Sequence, residues 1–281
     1  MKIPFFRYPQ IYLENKDIYL KAIDKICSKG AFIMQNDLEI FENNIANYTN
    51  SKYAIGVANA TDGMQIYLMA SEIPVGTEII ICSHTMIATA SAIKLCGYIP
   101  IPVETNSHDY MIDPEDLEKK INNKTSAIII TQLNGRTAEM DRINKITKKY
   151  NLKLIEDAAQ ALGSKYKNKY AGTFGEASVI SFYPAKNLGC FGDGGIILTS
   201  NKTLYKKMKL IRDHGRNKKN DVEIWGLNSR LDNLQAKILD IKFKKYNKII
   251  NHRRNIAKIY DRLLKKSKYL NLPPSPSNYP H

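Results

Sequence analysis

Apolar positions along the chain switch repeatedly between two spacings. Runs of strand length fall at 53–58, 78–82, 99–103, 126–131, 152–156, 177–182 and 195–199, several of them apolar at nearly every position. Continuous apolar runs of this kind suit strands covered on both faces. Between them, apolar residues at helical spacing fill 62–70, 87–95, 114–121, 141–150 and 204–213. Asp113-Pro114-Glu115 opens one of these with a capping aspartate and a proline in the first turn. This alternation predicts an α/β fold with a seven-stranded, mostly parallel sheet flanked by helices.

The pattern changes after Trp225. Leu231, Leu234, Ile238, Ile241, Ile249, Ile256, Ile259 and Leu263 keep helical spacing from Ser229 to about Lys266. One straight helix of that length would run roughly 55 Å, so it either kinks or bridges two domains. Leu272-Pro273-Pro274-Ser275-Pro276-Ser277 then reads as a stiff connector. The expected organisation is a large α/β domain over 1–225, followed over 226–281 by a long helix and the start of a smaller, truncated C-terminal domain.

Composition narrows the class. The 281 residues are 43% hydrophobic and 25% charged, the balance of a soluble globular protein. No stretch reaches the ~18 apolar residues of a membrane span. The opening Met1-Lys2-Ile3-Pro4-Phe5 lacks a secretory core, which predicts a cytoplasmic protein. Cys27, Cys82, Cys96 and Cys190 are scattered, and His84 and His214 have no partners at ligand spacing, so no metal site is expected. The net charge of +15 is spread over many helices and does not form a nucleic-acid stripe.

Two short stretches carry candidate chemistry. Ser181-Phe182-Tyr183-Pro184-Ala185-Lys186-Asn187-Leu188-Gly189 is a strand running into a turn that holds one lysine. A lysine desolvated at such a point has a lowered pKa and can form a Schiff base with a carbonyl cofactor. In Ile155-Glu156-Asp157-Ala158-Ala159-Gln160 a second strand ends in a carboxylate suited to pair with a pyridinium nitrogen. Opposite charges ~3 Å apart at an effective dielectric near 20 attract by roughly 5 kcal/mol, enough to hold such a ring cationic. Together the two stretches suggest pyridoxal phosphate. Asp157 reads equally well as a plain helix cap. A third stretch, Asn59-Ala60-Thr61-Asp62-Gly63-Met64, leads from strand to helix, where free amides either seat a phosphate or are simply capped. Gly192-Asp193-Gly194-Gly195 precedes a strand and has no helix behind it, so it reads as a tight turn shaping the loop beyond Lys186.

The ordered set Asn59–Met64, Ser83-His84-Thr85-Met86-Ile87-Ala88-Thr89-Ala90, Glu156–Gln160, Ser181–Gly189 and Gly226-Leu227-Asn228-Ser229-Arg230-Leu231-Asp232 resembles the DegT/StrS family of sugar aminotransferases. The resemblance implies the fold type I aspartate aminotransferase architecture with pyridoxal 5'-phosphate as cofactor. By that resemblance Lys186 is the Schiff-base lysine, Asp157 the partner of the pyridine nitrogen and Gln160 the contact of the ring oxygen. Thr61, Ser181 and the backbone at Asp62 fall on phosphate-binding positions. Asn228 falls on an asparagine donated from the neighbouring subunit, which implies a homodimer with a shared active site. The implied reaction moves an amino group from an amino-acid donor, glutamate in most of the family, to a keto sugar linked to a nucleoside diphosphate.

Departures from the family pattern accompany the match. Met86 stands where relatives often place an aromatic ring against the cofactor, and Arg136 replaces a commoner glutamine. Full-length relatives continue beyond position 281, which raises the alternative of a catalytically impaired or regulatory protein on the same fold. A related dehydratase family puts histidine at the Schiff-base position, and Lys186 argues against that reading.

Overall fold

A computed structural model describes residues 4–217 and 219–273. Three helices come first: α1 (Tyr8–Leu13), α2 (Lys16–Cys27) and α3 (Asn36–Thr49). Strands and helices then alternate as β1 (Tyr53–Val57), α4 (Ala60–Ala70), β2 (Glu78–Cys82), α5 (Ile87–Leu95), β3 (Ile99–Val103), α6 (Pro114–Lys120), β4 (Thr125–Thr131), α7 (Met140–Lys149) and β5 (Lys153–Asp157). A small hairpin, β6 (Lys165–Tyr166) and β7 (Lys169–Tyr170), precedes β8 (Ala177–Ser181), β9 (Gly195–Thr199) and α8 (Lys202–Ile211). The chain closes with α9 (Asn233–Phe243) and α10 (Tyr246–Leu264).

The seven long strands form one sheet in the order β1-β9-β8-β5-β4-β2-β3. All neighbours pair in parallel except β9, which runs antiparallel to both β1 and β8. Side chains alternate across a strand, so each strand feeds two cores. Ile79, Ile81, Ile129, Ile155, Val179 and Ile197 face one side, under α4, α5 and α8. On the other side Ile180, Ile196 and Leu198 pack with α3 and α9, and Ile80, Ile128 and Leu154 with α6 and α7. Asp113 Oδ1 accepts the Glu115 amide at 2.8 Å and caps α6 as its sequence predicts.

All seven expected strands are present, with ends shifted by a residue or two. The three N-terminal helices and the short hairpin escape the sequence reading, although Leu38, Phe41 and Ile45 of α3 recur at helical spacing. The expected long helix is two helices: α9 ends at Phe243, and Lys245, with φ −104° and ψ 5°, separates it from α10. No proline or glycine causes the break. Packing does: Tyr246 is buried, stacks on Phe243 and donates its hydroxyl to the Leu162 carbonyl at 2.8 Å. The prolines at 274 and 276 lie outside the described residues.

Candidate active site

Strand alternation decides which side chains meet. Thr131, Asp157 and Ser181 end three neighbouring strands, and each shares the parity of residues that face α4 and α5. The loops leaving β1 and β2 add Asn59 to Thr61 and Met86 on the same side. The result is a cavity of about 870 Å³ at the C-terminal ends of the strands, where open α/β sheets bind ligands. Lys186, Asp157, Thr61, Met86, Gln160 and Ser181 all line it. Asp62 and Asn228 do not.

Asp157 is 4% exposed. Its Oδ2 accepts the Thr89 hydroxyl at 2.7 Å and its Oδ1 accepts the Ala159 amide at 3.2 Å. Thr89 Oγ1 lies 2.8 Å from Thr85 Oγ1, which lies 2.8 Å from Thr131 Oγ1. Burial pushes the Asp157 carboxyl above its ordinary range, while the Thr89 bond and the positive charge of Lys186 pull it back. Burial likewise lowers the Lys186 amine below the usual lysine range, against the opposing pull of Asp157. Lys186 Nζ has no hydrogen-bond partner among the described residues. A half-buried amine whose pKa burial lowers, in one cavity with a carboxylate, is equipped to attack a carbonyl and to carry a proton.

The loop carrying Lys186 is tied at many points. Phe182 donates to the Gly194 carbonyl at 2.8 Å, the Cys190 amide returns to Phe182 at 2.9 Å, and Lys186 N–H bonds the Tyr183 carbonyl at 2.8 Å. Gly189 has room for no side chain, since a Cβ would sit 2.5 Å from the Pro184 carbonyl oxygen. From α9, Gln235 takes the Phe191 amide at 2.8 Å and donates to its carbonyl at 3.1 Å. Lys242 Nζ reaches the Gly189 carbonyl at 2.5 Å, lies 4.3 Å from the Phe191 ring centre and is pushed down to about 8 by burial.

The opposite wall is a helix start. Asn59 caps α4 by accepting the Asp62 amide at 2.8 Å, which leaves the amides of Ala60 and Thr61 without an intrahelical acceptor. Gly195 lets β9 approach this turn: a Cβ there would lie 2.6 Å from the Asn59 carbonyl carbon. Gln160 Oε1 accepts the Asn134 amide at 3.1 Å, and Ser181 Oγ accepts the Tyr183 amide at 3.2 Å. Met86 is 60% exposed at the rim. Asp62 turns its amide to Asn59, and Asn228 bridges to Asp213 on the connection between α8 and α9.

Several contributors escape the sequence reading. The threonine chain behind Asp157 had one visible signal, Thr85 and Thr89 four residues apart at a helix start. Arg253 and Arg254 of α10 also line the cavity, and only the fold brings them there. The donor set fits pyridoxal phosphate: an unpartnered half-buried amine, a desolvated carboxylate, and hydroxyls with free helix amides share one cavity. No group of three potential metal ligands occurs among the described residues.

Residues 14–280 match the DegT/DnrJ/EryC1/StrS aminotransferase family. The dTDP-3-amino-3,6-dideoxy-alpha-D-galactopyranose transaminase of Aneurinibacillus thermoaerophilus is 39% identical over 258 residues, 92% of this chain and 71% of that protein. A protein of Geobacillus stearothermophilus named a pleiotropic regulatory protein is 38% identical over 267 residues, 95% of this chain and 72% of its own length. The structure of S. venezuelae DesV, solved with a ketimine intermediate, superposes with a TM-score of 0.96 at 33% identity, covering 99% of this chain and 75% of DesV. The chain therefore belongs to the DegT/DnrJ/EryC1/StrS family and is a fold type I, pyridoxal-phosphate-dependent aminotransferase.

Proposed function

We propose that the chain transfers an amino group from an amino acid, glutamate by family resemblance, to a keto sugar linked to a nucleoside diphosphate. It would act in the cytoplasm, for amino-sugar biosynthesis of a surface polysaccharide or glycan, as a homodimer with a shared site. One observation carries the reading: Asp157 at the end of β5 and Lys186 on the loop after β8 interact electrostatically in one cavity. The transaminase activity in the name of the Aneurinibacillus relative points the same way. Among the described residues no helix is long and apolar enough to cross a membrane.

When bound, pyridoxal phosphate supplies a carbonyl that takes up the amino group and a ring that withdraws electrons from the reacting carbon. Lys186 would hold it covalently. Once freed, the same amine would take a proton as a neutral base and return it as an ammonium, a role that the lowering of its pKa by burial favours. Asp157, oriented by Thr89 and Ala159, would hold a proton on the ring nitrogen; a cation against it would oppose the upward push of burial on its carboxyl. Gln160 would meet the ring oxygen, and Met86 would pack a thioether at the ring's edge. Thr61, Ser181 and the backbone around Asp62 would take the phosphate at the start of α4, with Asn228 contributed from the neighbouring subunit. Asn228 lies outside its own chain's cavity lining, as a residue serving a partner's site should.

The domain division at 225/226 belongs to the same proposal: α10 would begin a smaller domain, rooted by α9 on the α/β body. The test is reduction of the cofactor-loaded protein with borohydride, followed by peptide mass spectrometry and a turnover assay with nucleotide-linked keto sugars and glutamate. A cofactor adduct on Lys186 together with amino-sugar product is expected. An adduct without turnover of any such sugar would favour a regulatory or catalytically impaired protein, a reading that the Geobacillus relative's name keeps open. No adduct on Lys186 would overturn both.

A further inference from the structure

Three threonine hydroxyls stand in series behind Asp157, and they come from three separate places in the fold. Thr131 ends β4 as the cross-strand partner of Asp157, Thr85 lies on the loop after β2, and Thr89 sits in the first turn of α5. Their bonding is unusual for this chain. The helical Thr49 and Thr147 spend their hydroxyls on their own helices, at 2.8 Å to the Ile45 carbonyl and 3.1 Å to that of Asn144. Thr89 instead gives its hydroxyl to Asp157 Oδ2 at 2.7 Å, and its other contact is the Thr85 hydroxyl at 2.8 Å. Thr85 adjoins the N-cap Met86, yet it turns to Thr131 at 2.8 Å, and α5 starts without a side-chain cap. Thr89 is fully enclosed and Thr131 is 5% exposed.

Hydrogen counting fixes the direction of this series. A hydroxyl has one hydrogen to give. Thr89 gives its own to the carboxylate, so it accepts from Thr85, and Thr85 in turn accepts from Thr131. All three hydrogens point toward Asp157. Donation to a carboxylate favours its charged form, and each bond in such a series polarises the next. Burial pushes this carboxyl upward, while the Thr89 bond, the Ala159 amide and the charge of Lys186 pull it down. Asp193, Arg253 and Arg254 are the other charged groups on the cavity wall. Lys186 gives up its free ammonium when it joins a carbonyl; the hydroxyl series stays in place.

We propose that Thr131, Thr85 and Thr89 form a one-way hydroxyl chain that holds Asp157 ionised and oriented, with Thr85 and Thr131 as positioning residues that act through Thr89. This rests on the reading of Asp157 as partner of the cofactor's ring nitrogen, since an ionised Asp157 keeps that nitrogen protonated and a neutral one does not. The chain thereby sets how strongly the bound ring withdraws electrons.

The test is nuclear magnetic resonance of the full chain loaded with pyridoxal phosphate that carries nitrogen-15 in its ring, followed across pH. The signal reports the ring proton directly and does not depend on turnover. Thr85→Val keeps the side chain's shape and removes its hydroxyl, and it is expected to lower the proton affinity of the ring nitrogen by about tenfold, one pH unit in midpoint. Thr131→Val, one bond further off, should have a smaller effect and Thr89→Val a larger one. The Kd of pyridoxamine phosphate, which places the ring without the covalent bond, should rise in the same order. Thr85→Ser restores the hydroxyl and should return both readouts to wild type. Packing loss alone would lower the thermal midpoint and move neither. Unchanged ring-nitrogen midpoint and Kd in Thr85→Val and Thr131→Val overturn the chain, as does a Thr85→Ser variant that behaves like Thr85→Val. A wild-type ring nitrogen without its proton near neutrality overturns the role of Asp157 and the chain with it. Absence of the borohydride adduct on Lys186 overturns the aminotransferase reading itself, so the failures are distinguishable.

Discussion

Asp157 and Lys186 on one side, Glu156 and Lys242 on the other, are two sets of a buried acid and a half-buried amine, and they have opposite fates. Glu156 points to the face opposite Asp157 and is fully enclosed. Its oxygens accept Gln132 Nε2 at 2.8 Å and the amides of Gly172, Phe174 and Gly175 at 2.8, 2.5 and 3.0 Å. Lys242 is similarly spent on the Gly189 carbonyl and the Phe191 ring. Lys186 has no partner among the described residues, and Asp157 keeps acceptor capacity toward the cavity. Burial lowers both amines and raises both acids, so desolvation does not separate structural groups from reactive ones. What separates them is whether the protein itself uses up their hydrogen-bonding capacity.

The sharpest break in that comparison is Lys186→Ala. Transaminase turnover should fall by about 10⁴-fold or more, the scale of losing both a covalent anchor and a proton carrier, while the thermal midpoint of the cofactor-free protein stays near wild type. A variant that unfolds instead would put Lys186 with the structural set. Glu156→Ala should do the reverse. It leaves Gln132 and three amides without their acceptor, a loss of about 3–5 kcal/mol in denaturant unfolding. Asp157→Asn should cost roughly 10²- to 10³-fold in kcat, the scale of removing one preorganised electrostatic group, with little change in stability. Stability loss without activity loss would make it merely the helix cap that its sequence also allowed.

The smallest effect concerns pH. Lys242 titrates near 8 when folded and near 10.5 as an ordinary lysine, so between those values the unfolded chain binds more protons. Stability contributed through this group must therefore rise as pH climbs from 8 to 10.5, and is flat below that window. The difference in thermal midpoint between wild type and Lys242→Met, followed across that range, should grow in favour of wild type. A constant difference would mean that burial does not shift this lysine.

Most of the sheet was legible because strands covered on both faces are apolar at nearly every position, as in Ile79-Ile80-Ile81 and Ile128-Ile129-Ile130. The α9/α10 break was open in the sequence, since its cause is Tyr246 finding the Leu162 carbonyl more than eighty positions away. The same limit applies to the site. Asp157 stands at a strand end and Lys186 in the turn beyond one, where local pattern exposes them, and Thr61 and Gln160 follow from their neighbours. Thr89, Lys242 and Arg253 matter only through contacts across the fold. A helical threonine, lysine or arginine looks the same whether it faces water or a carboxylate.

The reversed direction of β9 has a mechanical consequence. Because β8 and β9 are antiparallel neighbours in the interior of the sheet, the loop between them leaves and re-enters at the same edge, and both its ends are spliced into strands flanked on either side. Swinging the backbone at position 186 would mean breaking the ties of Cys190 to Phe182 and of Phe191 to Gln235 that hold the loop between those fixed ends. The reach needed to serve two successive substrates must come from rotation about the four-carbon stem of the lysine and from the ligands themselves, over an anchorage that stays still.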